Sequence, residues 1–339
     1  MTCYLVTGGA GFIGSHLVEA LLRDGDEVVV LDTLSTGRIT NLLAVRDNPN
    51  FTFIQGSVLD ELAVDRAVVR CDVVIHLAAA VGVKLIVEQP LYSLTTNIKG
   101  AITVLEAAHR YRRKVMVAST SEIYGKNNSG PLSEQADRIL GSPNVARWAY
   151  STSKAVDEIL AYAYHRERGL PTIVVRLFNT VGPRQSPAYG MVVPRMVRQA
   201  LAGEPVTVYG DGTQTRCFCH VSDVVEALIQ LLAEPSAVGD VFNVGSSEEI
   251  SIGDLALRIV TATASPSQIV HVPYEVAYEV GFEDMSRRVP DVTKVNRLTG
   301  WRAKRDLTEI LEDVVAEVRS EIEAGAGGGR GDGFPATSF

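Results

Sequence analysis

Thr7-Gly8-Gly9-Ala10-Gly11-Phe12-Ile13-Gly14 is the stretch from which the fold is read. It follows a short apolar strand, Cys3 to Thr7, and opens an amphipathic helical pattern that runs to about Arg23. Strand, glycine turn and helix in that order are the context a dinucleotide fingerprint requires. Gly8 permits the tight turn, Gly11 lets a pyrophosphate approach the backbone at the helix N-terminus, and Gly14 allows helix and strand to pack closely. A second apolar run, Val28 to Leu31, ends in Asp32, eighteen residues past Gly14. A carboxylate there accepts hydrogen bonds from an adenosine ribose and repels a 2'-phosphate, which favours NAD over NADP. Arg38 is the nearby feature that speaks for NADP, and a simple turn cap is the alternative reading of Asp32, disfavoured by the strand before it.

Working outward, further strands are expected at Phe51 to Gln55, Val73 to Leu77, Val115 to Ser119 and Thr172 to Leu177, alternating with helical patterns such as Tyr92 to Tyr111. That alternation predicts an α/β protein with a Rossmann-type, doubly wound parallel sheet. After strand four, Ala78-Ala79-Ala80 offers small residues against which a cofactor could lie. From Phe178 the pattern becomes loop-like, and turn signals are dense through Gly210-Asp211-Gly212. Residues 1–178 are therefore expected to form the NAD-binding part and 179–323 mainly a smaller, interleaved substrate-binding lobe. The helix Val221 to Ala233 and strand Val241 to Val244 should return to the first sheet, by about residues 220–245. Helices near Ile252 to Ala262 and Ile310 to Glu323 close the smaller lobe, and the glycine-rich tail, 324–339, is expected to be disordered.

Composition sets outer bounds. With 339 residues the chain is long enough for two lobes, and 46% hydrophobic with 21% charged residues is ordinary for a globular protein. A formal net charge of -8 argues against a nucleic-acid surface. No apolar run approaches the ~18 residues a membrane span needs, and the first residues enter a strand without a charged leader, so a cytoplasmic protein is expected. Four cysteines, Cys3, Cys71, Cys217 and Cys219, do not make a disulfide framework. Cys217-Phe218-Cys219-His220 invites a metal reading, but alternation along a strand explains it more cheaply, and no metal is expected.

The chemistry is carried by residues 115–154. An apolar strand, Val115 to Ala118, leads into Ser119-Thr120-Ser121-Glu122-Ile123-Tyr124-Gly125, at the carboxyl end where open α/β sheets place their ligands. Tyr150-Ser151-Thr152-Ser153-Lys154 then opens a helical pattern to about Arg168, with Tyr150 and Lys154 one turn apart on one face. A phenol titrates near about pH 10, and an ammonium one turn away would lower that value, making Tyr150 a candidate proton acceptor.

With Thr7 to Gly14, Asp32, Thr120 and Tyr150 to Lys154 assembled, the chain resembles the extended short-chain dehydrogenase/reductase family, in particular its nucleotide-sugar epimerases, decarboxylases and dehydratases. The resemblance covers roughly Thr2 to Glu323. It implies NAD as cofactor and a shared opening step: Tyr150 takes the proton of a sugar 4-hydroxyl while hydride leaves C4, giving a 4-keto sugar nucleotide. It further implies that Thr120 hydrogen-bonds the substrate oxygen and that Lys154 holds the nicotinamide ribose. Gly8, Gly11, Phe12, Ile13, Gly14, Asp32, Ser57, Val58, Leu77, Ala78 and Ala79 would line the cofactor site. Lys84, Ser121, Asn179, Thr180, Val193, Arg216, Arg288 and Asp291 would meet a UDP-sugar, the last two at phosphate and uridine ribose. A homodimer through helices near Tyr92 to Tyr111 and Ser151 to Arg168 is implied as well.

Three reactions share that keto intermediate. Dehydratases of the family carry an Asp-Glu pair after the threonine, whereas this chain has Ser121-Glu122. Glucuronate decarboxylases look similar at Ser-Thr-Ser-Glu but usually continue with Gly-Arg-Val-Val-Ser-Asn-Phe; here Gly190-Met191-Val192-Val193-Pro194-Arg195-Met196 lacks the arginine and the Ser-Asn pair. The stretches Ala79 to Lys84 and Phe282 to Arg288 also look like a bacterial subgroup named as 4-epimerases. The expectation is therefore an isomerase: an NAD-dependent UDP-sugar 4-epimerase for UDP-glucuronate and UDP-galacturonate, ahead of UDP-glucose and UDP-galactose. UDP-glucuronate decarboxylation is the alternative, and Ser121, Thr180, Ser186 or Arg184 could receive a sugar carboxylate. A dehydratase or a non-catalytic NAD-binding regulator comes after both.

Overall fold

The computed structural model describes residues 1–187, 191–277 and 285–326. In chain order, β1 (Cys3–Thr7), α1 (Phe12–Arg23), β2 (Glu27–Asp32), β3 (Phe51–Gln55), α2 (Glu61–Val68) and β4 (Val73–His76) come first. Next are α3 (Val83–Glu88), α4 (Pro90–Tyr111), β5 (Lys114–Thr120), α5 (Arg147–Arg168) and β6 (Thr172–Leu177). The remainder holds β7 (Thr180–Val181), α6 (Val192–Leu201), β8 (Val206–Tyr209), β9 (Thr215–Cys217), β10 (Cys219–His220), α7 (Val221–Ala233) and β11 (Asp240–Val244). It ends with β12 (Glu249–Ser251), α8 (Ile252–Thr263), β13 (Ile269–Val272), α9 (Tyr274–Ala277), β14 (Arg287–Arg288), α10 (Thr293–Thr299) and α11 (Leu307–Ala326).

Seven strands form one sheet in the order β11-β6-β5-β4-β1-β2-β3, and every pairing is parallel. The expected Rossmann-type sheet is thus the observed one. Alternate residues of each strand feed opposite faces, as the two-residue period dictates. Val6, Val28, Val30 and Met116 pack with Leu17, Val18 and Leu21 of α1 and with Val224 and Leu228 of α7. Leu5, Val29, Leu31 and Val117 pack on the other face with Val64 of α2 and Val104 and Leu105 of α4. Being covered on both sides is why these strands read as unbroken apolar runs.

A third core, around Val197, Val208, Leu255, Ile310 and Val314, belongs to α6, β8, α8 and α11. The smaller strands pair separately, β12-β9-β14, β13-β8 and β10-β7. α11 continues to Ala326, three residues beyond the expected end at Glu323; 327–339 lie outside the described residues. No helix among the described residues is long and apolar enough to cross a membrane.

Candidate active site

The carboxyl ends of β1, β2, β4, β5 and β6 open into a cavity of about 540 Å³ that runs on to α6, β9 and β14. At one end lies the glycine turn. A Cβ on Gly8 would sit 2.8 Å from the Ala78 backbone nitrogen, and one on Gly14 would sit 2.3 Å from the Gly8 oxygen. The backbone therefore comes close to β4 and α1 comes close to the turn only because these positions have no side chain. Gly8 also adopts a φ of 74°, in the region that favours glycine. α1 begins without a side-chain cap, so its first N–H groups remain available to an anion.

Asp32 ends β2 at 8% exposure; its Oδ2 accepts from Ala10 N at 3.0 Å and its Oδ1 from Leu34 N at 2.8 Å. Burial raises its pKa and those two hydrogen bonds oppose the shift. Gly11, Phe12, Ile13, Ser57, Val58, Leu77, Ala78 and Ala79 line the same end. Asn97 of α4 fixes the loop after β4: its Oδ1 accepts from Ala80 N at 2.8 Å, and its Nδ2 donates to Ser153 Oγ at 3.1 Å. An uncapped helix N-terminus, a turn with no room for Cβ atoms and a buried carboxylate eighteen residues on together fit a dinucleotide.

Where the sheet meets the smaller lobe, Thr120, Ser121, Glu122, Tyr150 and Lys154 share the cavity wall. Thr120 Oγ1 accepts from Glu122 N at 3.2 Å, fixing the short 3-10 turn Ser121–Tyr124 that presents Glu122. Glu122 Oε1 lies 3.4 Å from Arg288 Nη1 and 3.8 Å from Arg147 Nη2, and all three side chains are at most 16% exposed. Tyr150 is 7% exposed. Its phenol pKa is raised, by burial first and then by the charges of Glu122 and Asp157; a hydrogen bond with Thr120 pulls the other way. This corrects the expected effect of Lys154. The ammonium is bonded instead to Asp157 Oδ2 at 2.6 Å, so its field at Tyr150 is offset by a carboxylate.

Asn179, Thr180, Val193 and Arg216 also line the cavity. Asn179 has a φ of 31° and donates from Nδ2 to Cys217 O at 2.8 Å, while Arg216 donates to Thr215 O. Two expectations are corrected. Asp291 is not a cavity residue: its Oδ1 accepts from Thr293 N at 2.9 Å, at the start of α10. Arg184 does line the cavity, but its guanidinium is taken up by Glu19 at 2.6 Å, with Ser15 Oγ at 3.2 Å, and does not await a sugar carboxylate. The Lys84 side chain and residues 188–190 and 278–284, which include Gly190 and Phe282, lie outside the description.

Sequence reasoning passed over Arg147 and Asp157. Each stands three residues from a motif member, Arg147 before Tyr150 and Asp157 after Lys154, and so on the same helix face. That spacing was the available signal. Among the described residues, no cluster of His, Cys, Asp and Glu suits a metal ion.

A family model described as GDP-mannose 4,6 dehydratase matches residues 5–314. The chain belongs to this family. Its members are extended short-chain dehydrogenases/reductases that use NAD. A UDP-N-acetyl-alpha-D-glucosaminuronate decarboxylase of Bacillus cytotoxicus is 42% identical over 320 residues, covering 94% of this chain and 98% of the relative. UDP-glucuronic acid decarboxylase 1 of Arabidopsis thaliana is 36% identical over 94% of this chain and 70% of its own length. Among solved structures, the UDP-glucuronic acid 4-epimerase of Bacillus cereus, determined with UDP-glucuronic acid and NAD, superposes with a TM-score of 0.84. It is 29% identical, over 94% of this chain and 99% of that one.

The expectation of an isomerase is overturned by these sequence relatives, which are decarboxylases and therefore lyases. The expectation drawn from the segment Gly190 to Met196 does not hold: Met191, Val192, Val193 and Arg195 line the cavity, and a second guanidinium reaches Glu122 from α5, through Arg147.

Proposed function

We propose that this chain is an NAD-dependent decarboxylase of a UDP-hexuronate, UDP-glucuronate or its 2-acetamido counterpart. The observation that carries this reading is the pair of arginines at Glu122. Two buried guanidinium groups, Arg147 and Arg288, approach one carboxylate oxygen on the cavity wall that also holds Tyr150. Guanidinium groups at that wall suit the carboxylate of an acidic sugar better than a neutral hexose, and the decarboxylase relatives support the loss of carbon dioxide.

The groups of the site have these roles in the reading. Gly8 to Gly14 and Asp32 hold the dinucleotide, and bound NAD supplies the acceptor and donor of hydride at C4. Tyr150, as the phenolate, takes the proton of the sugar 4-hydroxyl, with Thr120 bonded to the same oxygens. A ketone at C4 makes the C6 carboxylate a β-keto acid. The C5–C6 bond then breaks, carbon dioxide leaves, and the electron pair passes through C5 to the C4 oxygen, where Tyr150 and Thr120 stabilise it. A proton added at C5 restores the ketone before its reduction. Arg216 and Asn179, from the smaller lobe, are assigned to the nucleotide diphosphate.

A homodimer through α4 and α5 accompanies this reading, supported by the exposure of Leu91, Tyr92 and Ile159 on those helices; sedimentation should give the mass of two chains. The reaction is tested by incubating the protein and NAD with UDP-glucuronate or UDP-glucose and following products by proton NMR and mass. Conversion of the acid sugar alone, to a UDP-pentose, is expected. Turnover of UDP-glucose at the same rate would remove the basis of the charge argument.

A further inference from the structure

α5 carries Tyr150, Lys154, Asp157 and Glu158 on one side, within about 100° of arc, since offsets of four, seven and eight residues return to the same half of the helix. The two carboxylates are used differently. Glu158 is occupied by the sheet: it accepts from Arg176 Nε at 2.9 Å and Nη2 at 2.7 Å, and from the Ser119 hydroxyl. Asp157 has no exposed side-chain surface and accepts from Lys154 Nζ through Oδ2, while its Oδ1 is buried with no hydrogen-bond partner among the described residues. A buried carboxylate spending its one hydrogen bond on the lysine behind the base is an unusual provision, because that lysine is otherwise free to act on the phenol with its full charge.

We propose that Asp157 is a positioning residue for the catalytic pair: it anchors the Lys154 ammonium and offsets its charge, and so sets the pH at which Tyr150 becomes a base. The inference rests on the reading of Tyr150 as the proton acceptor. Among the described residues, the charged groups around this cluster also include Arg147 and Arg288, both held at Glu122. Glu122, from the turn after β5, and Asp157 both raise the phenol's pKa. His76, at the end of β4, is fully buried and kept neutral, in part by Lys154 itself, and Glu158 is matched by Arg176 of β6. Of the two carboxylates that raise the phenol's pKa, Asp157 is the one bonded to the lysine, so its removal both takes a negative charge from beside Tyr150 and frees the ammonium it anchors.

The test compares wild type, Asp157→Asn and Asp157→Glu. Asn keeps the shape and an acceptor oxygen but not the charge; Glu keeps the charge. The acid limb of the kcat profile with NAD and UDP-glucuronate should move to lower pH by about one unit, tenfold in proton concentration, in Asp157→Asn. Asp157→Glu should bring it back towards wild type. An Asp157→Asn limb coincident with wild type at reduced kcat would overturn the proposal, because a merely structural role lowers the rate without moving the profile.

A second measurement needs neither sugar nor turnover. Lys154→Met should lower the melting temperature by leaving Asp157 buried and unpaired, and Lys154→Met/Asp157→Asn should melt above Lys154→Met. Additive losses would refute the pairing. Absence of turnover with both UDP-glucuronate and its 2-acetamido counterpart in the wild type would count against the proposed reaction while leaving this cycle decisive for Asp157.

Discussion

The two ends of the cavity are built on different principles. At the dinucleotide end, selectivity resides in backbone: Gly8 and Gly14 have no room for a Cβ, α1 starts uncapped, and Asp32 is fixed by two N–H groups. At the end proposed for the sugar, the wall is formed by charged side chains drawn from separate segments, Glu122 after β5, Arg147 on α5 and Arg288 on β14. Backbone shape recognises one ligand class and tolerates little change. Converging side chains can be re-specified by single substitutions, so one cofactor end can serve several sugar chemistries.

The sharpest way to separate the two ends is Tyr150→Phe. Turnover should fall by about 10³-fold or more, measured by NMR, while NAD affinity, measured by calorimetry, stays near wild type. A wild-type rate would break the assignment of the base. Next in size is Arg147→Met. Truncating one partner of a buried charged set costs on the order of 2–5 kcal/mol, so kcat/KM for UDP-glucuronate should drop by about thirtyfold or more, again with NAD binding retained.

The reciprocal change is Gly14→Ala. Its Cβ would meet the Gly8 oxygen at 2.3 Å and the Gly9 Cα at 2.7 Å. Overpacking of about 1–3 kcal/mol should weaken NAD binding by roughly tenfold to a hundredfold. If the comparison holds, the glycine variant saturated with NAD still discriminates acid from neutral sugar, whereas Arg147→Met loses that discrimination.

The smallest effect concerns His76, which stands between the two ends. Burial pushes its pKa down to about 3, with Lys154 adding to the shift, and its Nδ1 shares a hydrogen bond with Thr7 Oγ1 at 2.9 Å. Its folded-state pKa lies below the unfolded value, so the unfolded chain binds the extra proton. The stability due to neutral His76 is present above about pH 6.5 and is lost as pH falls towards 3, at up to about 1.4 kcal/mol per pH unit. His76→Asn should flatten the melting temperature between pH 6.5 and 4 relative to wild type.

The difference between the ends also explains what the sequence disclosed. The glycine turn, Asp32 and the Tyr150 to Lys154 spacing are local patterns, each contained in one element or one βαβ unit, and with the alternating strands and helices they made the parallel sheet legible. Glu122 with Arg147 and Arg288 is a contact between residues 25 and 166 positions apart. No periodicity reports such a contact. The expected reaction class, drawn from the 190–196 segment, is overturned by the decarboxylase relatives, while Arg147, to which the proposed function assigns the sugar carboxylate, lies on the helix already identified. Asp157 stands at a legible spacing after Lys154, but the bond between the two side chains is a contact that the spacing permits without establishing.

The central claim, loss of the sugar's C6 as carbon dioxide, is tested most directly with UDP-glucuronate carrying ¹³C at C6. After incubation with the protein and NAD in a sealed tube, the label should appear as carbon dioxide and bicarbonate, and the UDP-pentose formed should be unlabelled. Retention of the label in a sugar nucleotide of unchanged mass, with C4 inverted, would contradict it.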